Sequence, residues 1–175
     1  PEDDNLLINY INQTKFPTKF IIAPHNINTN QINILAKKIQ KPTVLYSKYK
    51  NETLENKSVF IIDCVGILSK IYNYADIAYV GGGMGTSGLH NTLEAATFGV
   101  PIVIGKNYQK FPEAKDMLDK GGLFSIENHA TLQNTLDNLV ENPEIRKKLG
   151  RINKDYITHN KGASKIIMEK IKKLC

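Results

Sequence analysis

The stretch ADIAYVGGGMGTSGLHNTLEAATFGVPIVIG, Ala75–Gly105, sets an apolar run, a glycine-rich turn, a helical pattern and a second apolar run in succession. Ile77–Val80 and Pro101–Gly105 read as short strands, with the helix between them over residues 89–98. Strand, helix and strand in that order form a βαβ unit, whose two strands run parallel. Gly83, Gly85 and Gly88 spell a literal G-x-G-x-x-G inside it. That pattern fits a dinucleotide turn, another phosphate-binding turn, or a tight turn that holds no ligand.

The same alternation extends in both directions. Lys19–Ala23, Thr43–Tyr46, Val59–Asp63 and Leu123–Ile126 are further apolar runs. Helical patterns lie near residues 3–13, 29–40, 66–74, 112–120, 130–140, 143–158 and 162–174. The fold class is α/β, a Rossmann-like parallel sheet with helices on both faces. Such sheets take ligands outside the carboxyl ends of their strands, here the loops Pro24–Thr29, Asp63–Ile67, Gly81–His90 and Gly105–Pro112. No repeat, low-complexity tract or Ser/Gly linker divides the chain, so residues 1–175 read as one domain. The first element is already a helix, with Glu2, Asp3 and Asp4 where the helix dipole favours acidic groups. A doubly wound domain usually opens on a strand, so the expectation is a fragment of a longer protein.

The chain has 175 residues, 41% apolar, and a formal net charge of +6. No apolar run approaches the ~18 residues of a membrane-spanning helix, and no stretch reads as a signal peptide. Cys64 and Cys175 form neither a metal-ligand spacing nor a disulfide framework, which fits a reducing compartment. Lys161, Lys165, Lys170, Lys172 and Lys173 fit the solvated face of a terminal helix rather than a membrane or nucleic-acid surface. His129 and His159 sit in polar helical patterns and are expected to be exposed.

A dinucleotide fingerprint needs an acidic residue about 20 positions beyond its glycines, to hold the ribose hydroxyls. Pro101–Gly105 carries none, and neither does Gly105–Tyr108. The glycines still suit backbone amides that approach a phosphate, ahead of a helix N-terminus. His90, Asn91 and Glu94 follow at helical spacing, so all three can face one pocket. Asn91 can also cap the helix and Glu94 complete a capping box. A carboxylate beside a phosphate loop makes sense if it binds ribose hydroxyls one sugar away.

The segment ADIAYVGGGMGTSGLHNTLEAATFGVPIVIGKNYQKFPEA, Ala75–Ala114, resembles the donor-binding half of the 3-deoxy-D-manno-octulosonic acid (Kdo) transferases. The H-N-x-L-E run, the following F-G-V-P, and G-x-N-Y-x-K-F-x-E-A carry the likeness. APHNI at Ala23–Ile27 and DCVGILSKIYNYAD at Asp63–Asp76 resemble two earlier family segments, the first in a form associated with Bacteroidetes-type sequences. The resemblance runs collinearly over nearly the whole chain. It implies the C-terminal half of a glycosyltransferase B architecture. The catalytic base, the acceptor site and the membrane contact would then lie in an N-terminal half that this sequence does not include.

The same resemblance implies that Ala23, Pro24 and His25 line the nucleotide site, and that Val65, Gly66 and Ile67 meet the cytosine. Gly82, Gly83, Met84 and Gly85 would approach the phosphate. Asn91, Thr92, Leu93 and Glu94, with His90 ahead of them, would hold phosphate and ribose. Asn26 and Ile67 depart from many members, which carry charged residues there. The implied donor is CMP-Kdo and the acceptor a lipid A precursor, at the cytoplasmic side of the bacterial inner membrane. No nucleic-acid partner or cofactor is expected, and no metal, since no D-x-D-like pair stands at a strand end. Lys106 and Lys110, after the fifth strand, are candidates for the donor's carboxylate or phosphate. Cys64 reads as a small apolar filler near the base. The rival functions are a UDP-sugar transferase or 2-epimerase, and a nucleotide-binding module without activity of its own.

Overall fold

A computed structural model describes residues 2–86 and 88–172 of the chain. The chain opens with helix α1 (Glu2–Gln13) and then alternates: β1 (Phe20–Ile22), α2 (Thr29–Lys38), β2 (Thr43–Leu45), β3 (Val59–Ile61), α3 (Leu68–Ile71) and β4 (Ala78–Val80). It continues with α4 (Thr92–Thr97), β5 (Ile102–Gly105), α5 (Pro112–Asp119) and β6 (Leu123–Ile126). Helices α6 (His129–Glu141), α7 (Pro143–Asn160) and α8 (Ala163–Lys172) follow. All six expected strands and all eight expected helices form. The expected end of the last helix, with Lys173, and Cys175 lie outside the described residues, as does Ser87 in the glycine-rich turn.

Two elements are shorter than the sequence suggests. The helix expected over residues 66–74 is one α turn, continued by a 3-10 turn at Tyr72–Tyr74, where aromatic and Asn side chains have low helix propensity. The helix expected over residues 89–98 starts only at Thr92. Gly88 has a φ of +93°, and the His90 N–H donates to the Gly81 carbonyl at 3.0 Å. Residues 88–90 therefore close the loop instead of opening the helix.

The strands pair in parallel, as two ladders rather than the single sheet expected: β2, β3 and β1 in one, and β4, β5 and β6 in the other. In the second ladder β5 is central and buried throughout. Strand alternation sends Ile102 and Ile104 to one face, against Ala95 and Ala96 of α4, Ala114 and Met117 of α5, and Tyr156 of α7. Val103 faces the opposite side, with Tyr10 of α1 and Leu132, Leu136 and Leu139 of α6. A strand covered on both faces has no polar side, which is why PIVIG is apolar at every position.

Helix α1 joins the ladders. Ile8 and Ile11 pack with Val59 and Ile61 of β3 and Ile32 of α2, while Leu6, Leu7 and Tyr10 belong to the core of the second ladder. Phe20 of β1 packs on both cores and meets the Tyr10 ring edge-on at 6.2 Å. Two phenols fasten the helix: the Tyr10 hydroxyl donates to Asp137 at 2.8 Å and the Tyr79 hydroxyl to Asp3 at 2.6 Å.

The other side of the second ladder closes on small residues and one amide. A Cβ on Gly150 of α7 would lie 2.0 Å from the Gly99 carbonyl oxygen, so only glycine allows α7 this close to the turn after α4. One turn further on, the fully buried Asn153 donates from Nδ2 to the Val100 carbonyl at 2.7 Å and the Gly122 carbonyl at 2.8 Å.

Gly150→Ala would gain roughly 1 kcal/mol of helix propensity in isolation. Here the expected result is a net loss of about 1–3 kcal/mol, because the added methyl has only backbone to displace. Urea unfolding checks this, and an unchanged or higher midpoint contradicts the packing. The phenols give a pH prediction. Burial first, then the bond to Asp3, pushes the Tyr79 phenol well above its ordinary value; burial and Asp137 do the same for Tyr10. The folded chain therefore keeps protons that the unfolded chain loses. Stability is complete below about pH 10 and falls above it, by up to about 1.4 kcal/mol per pH unit for each phenol. Tyr79→Phe should make that alkaline decline shallower in denaturation curves taken between pH 8 and 11.

Candidate nucleotide-binding site

Four loops leave the carboxyl ends of the central strands, and the glycine-rich turn after β4 is the most tightly built. Gly82 has a φ of +88°, and a Cβ there would lie 2.1 Å from the Gly88 carbonyl oxygen. Gly83, three residues beyond β4, and Gly105, the last residue of β5, face each other backbone to backbone. A Cβ on Gly105 would sit 2.3 Å from the Gly83 carbonyl carbon. At Gly85 the neighbour is the Glu2 carboxylate, 2.8 Å from the position of a Cβ. The glycines of the motif thus have packing reasons that owe nothing to a ligand. Gly82 and Gly83 are buried, and the half-buried Met84 packs against the α1–α6 core.

The loop after β5 grips this turn through Asn107. Its backbone N–H donates to the Gly83 carbonyl at 2.8 Å, and its Nδ2 donates to the Met84 carbonyl at 3.2 Å and the Gly85 carbonyl at 2.8 Å. Asn107 stands in the G-x-N-Y-x-K-F segment but gave no signal of this role, since an Asn after a buried strand reads as an ordinary turn former. Lys106 and Lys110 are exposed on the same loop.

The turn after β1 reaches the same region. The rings of His25 and His90 lie 4.5 Å apart between centroids, tilted by 32°, and join the loops after β1 and β4. Both side chains are exposed. In the loop after β3, Val65 is 81% exposed and Gly66 holds a φ of +86° with open space around it. The base of that loop is fixed where Ser47 donates its N–H and its hydroxyl to the Asp63 carboxylate, at 2.8 and 2.5 Å.

The first turn of α4 departs from the expected common face. Asn91 is the N-cap, and its side chain accepts from the Leu93 N–H at 3.0 Å. The reciprocal half of a capping box does not form. Because His90 precedes the helix, it is not one turn from Glu94 on a shared face; it stacks on His25 instead. Thr92 is 1% exposed, with its hydroxyl buried and unpartnered, so its side chain is turned inward and not open at the surface. Leu93 is exposed and Glu94 half-buried. Burial, followed by the Glu94 charge, pushes the Tyr72 phenol up, and the Tyr72 ring stacks on Phe98 at 5.6 Å. His129 is also less open than expected: it is half-buried, with Nε2 enclosed, while His159 is exposed. Cys64 is half-buried beside the open Val65–Gly66 turn.

No protein-family model matches the chain. The 3-deoxy-D-manno-octulosonic acid transferase of Haemophilus influenzae is 30% identical over 162 residues, which cover 90% of this chain and 38% of that protein. The transferase of the same name from Aquifex aeolicus is 32% identical over 131 residues, 74% of this chain and 36% of that one. The chain is a homologue of the Kdo transferases. It spans less than two fifths of the length of these two relatives. The C-terminal CMP-Kdo binding domain of WaaA from Acinetobacter baumannii superposes with a TM-score of 0.72, over 90% of this chain and 83% of that domain. At 21% identity that likeness is one of fold. It places the α/β architecture with the C-terminal domains of glycosyltransferases, as the Kdo transferase resemblance implied. Among the described residues, no helix is long and apolar enough to cross a membrane.

The Gly83–Gly105 contact is the structural hinge of this site. Gly105→Ala is expected to lower stability by about 1–3 kcal/mol and to make the chain more open to proteolysis between Gly81 and Gly88. Limited proteolysis with mapping of the cut sites checks it; unchanged cleavage there would show that the turn does not rely on that contact.

Proposed function

We propose that this chain is the donor-binding half of a Kdo transferase: it holds CMP-Kdo while Kdo passes to a lipid A precursor. The observation that supports this reading most directly is the convergence of three segments beyond the carboxyl ends of β1 and β4, in a homologue of the Kdo transferases. The glycine-rich turn, His25 with His90, and the Asn91–Glu94 turn meet there. On this reading the phosphate lies against the turn Gly82–Gly85 and the two imidazoles, and Glu94 accepts from the ribose hydroxyls. The cytosine lies toward Ala23, Pro24 and the open Val65–Ile67 turn. Thr92 and Met84 support the site from below. Lys106 and Lys110 are available to the donor's carboxylate.

The chemistry asked of this half is departure of a phosphate. As the glycosidic bond breaks, the sugar becomes oxocarbenium-like and CMP gains negative charge. Peptide N–H groups and imidazoles fixed beforehand around that charge favour the transition state over the ground state. The acceptor, the group that takes the acceptor's proton and the contact with the cytoplasmic side of the inner membrane belong to the remainder of the enzyme. The 175-residue chain is therefore expected to bind donor without turning it over.

Calorimetric or NMR titration with CMP, UMP and NAD tests the reading, with CMP expected to bind tightest. Preference for UMP would favour a UDP-sugar enzyme, and preference for NAD a dinucleotide fold. Glu94→Ala is expected to weaken CMP binding about tenfold, the equivalent of roughly 1.4 kcal/mol. Unchanged affinity would remove Glu94 from the ribose.

A further inference from the structure

Asn107 touches three successive carbonyl oxygens of the glycine-rich turn, through its own N–H and both donors' worth of side-chain Nδ2 contact. The chain has no cis peptide bond among the described residues. In a planar trans peptide the C=O and the following N–H point in opposite directions. When the carbonyls of Gly83, Met84 and Gly85 turn toward Asn107, the N–H groups of Met84, Gly85 and Thr86 turn away from it together. A run of N–H groups on one side of a turn is a concavity that suits an anion.

The glycines cannot set this arrangement alone. Glycine permits many backbone conformations, and the packing of Gly83 on Gly105 fixes only the near end of the turn. At Gly85 the nearest outside group is the Glu2 carboxylate, an acceptor and an anion rather than a donor to carbonyls. The donors that choose the direction of these peptide units come from Asn107, on the loop after β5.

We propose that Asn107 is a positioning residue for the donor's phosphate: it touches no part of the nucleotide, and by holding the three carbonyls it presents the N–H groups of Met84–Thr86 to the phosphate oxygens. This rests on the donor-site reading above and adds to it the residue that makes the turn anion-selective. An Asn side chain has both an acceptor and a donor, and only the donor is used here. An Asp of nearly the same shape would keep the backbone bond to Gly83 but set a carboxylate against the Met84 and Gly85 carbonyls, and lose the arrangement there.

The test compares CMP with cytidine, which has the same base and sugar without the phosphate, on the 175-residue chain and its Asn107→Asp and Asn107→Ala variants. In the unaltered chain CMP is expected to bind at least tenfold tighter than cytidine. Asn107→Asp should remove most of that preference, and Asn107→Ala should reduce it severalfold, with cytidine affinity held within about twofold in both. Backbone ¹⁵N–¹H shifts of Gly85 and Thr86, whose peptide carbonyls the side chain holds, should move in both variants before any ligand is added. A parallel fall in CMP and cytidine affinity, or unmoved amide shifts at those two residues, overturns the proposal. If UMP or NAD proves the better ligand, the cytidine donor reading fails separately. The role of Asn107 is then read from UMP against uridine, or nicotinamide mononucleotide against nicotinamide riboside, and loss of the phosphate preference in the Asp variant still upholds it.

Discussion

The contact between Gly83 and Gly105 is the constraint on which the ligand end of the domain depends. β5 ends in Gly105 and the chain just beyond β4 runs through Gly83, and there the two backbones approach to a distance no side chain would permit. That closeness brings the loop after β5 onto the turn after β4, within reach of Asn107. It also turns the chain back through Gly82 and Gly88, so that His90 returns to pair with Gly81 and its ring comes to lie on His25. Helix α4 can begin only after this return, which is why it is six residues long instead of ten.

Behind that edge the stability comes from coverage. β5 is enclosed by α4, α5 and α7 on one side and by α1 and α6 on the other. Each large aliphatic side chain buried this way is worth about 1.5–3 kcal/mol, so the stabilising burial of the second ladder is concentrated at its middle strand. Helix α1 carries a second function in the architecture. It completes the cores of both ladders and is latched by Tyr10 and Tyr79, so the acidic first turn at Glu2 and Asp3 is held at the edge where the glycine turn lies. The Glu2 carboxylate therefore lies against Gly85 of the turn that the donor reading assigns to phosphate.

The fold was readable because burial leaves a strong mark: every strand appeared as a mainly apolar run, unbroken in the fully covered β5, and nearly every helix as a periodic one. What the runs could not convey was the break between the two ladders, since three-residue strands carry no signal about which neighbour they pair with. At the site, the glycines, His25, His90 and Glu94 stood out by residue type. Their relations did not. The i,i+4 argument joined His90 to Glu94 and failed because a positive-φ glycine ended the loop two residues before His90. Thr92 looked available and is buried, because the first residue of a short helix at a strand edge turns into the core. Asn107 was invisible for the opposite reason: its importance lies in the carbonyls it meets, and those belong to residues more than twenty positions earlier.

The G-x-G-x-x-G itself can now be weighed. In a dinucleotide turn the glycines let the pyrophosphate approach and let the helix pack on the strand. Here Gly83 is spent on Gly105, Gly88 supplies a left-handed turn and Gly85 accommodates Glu2. The motif therefore records close approaches of backbone to backbone and of backbone to α1, which account for its glycines by packing alone. What gives such a turn a ligand preference is the direction of its peptide units, which lies outside the motif, in the loop that follows the next strand. A glycine pattern read alone is thus a statement about where side chains are forbidden. The chemistry of the turn is decided by whichever donor faces its carbonyls.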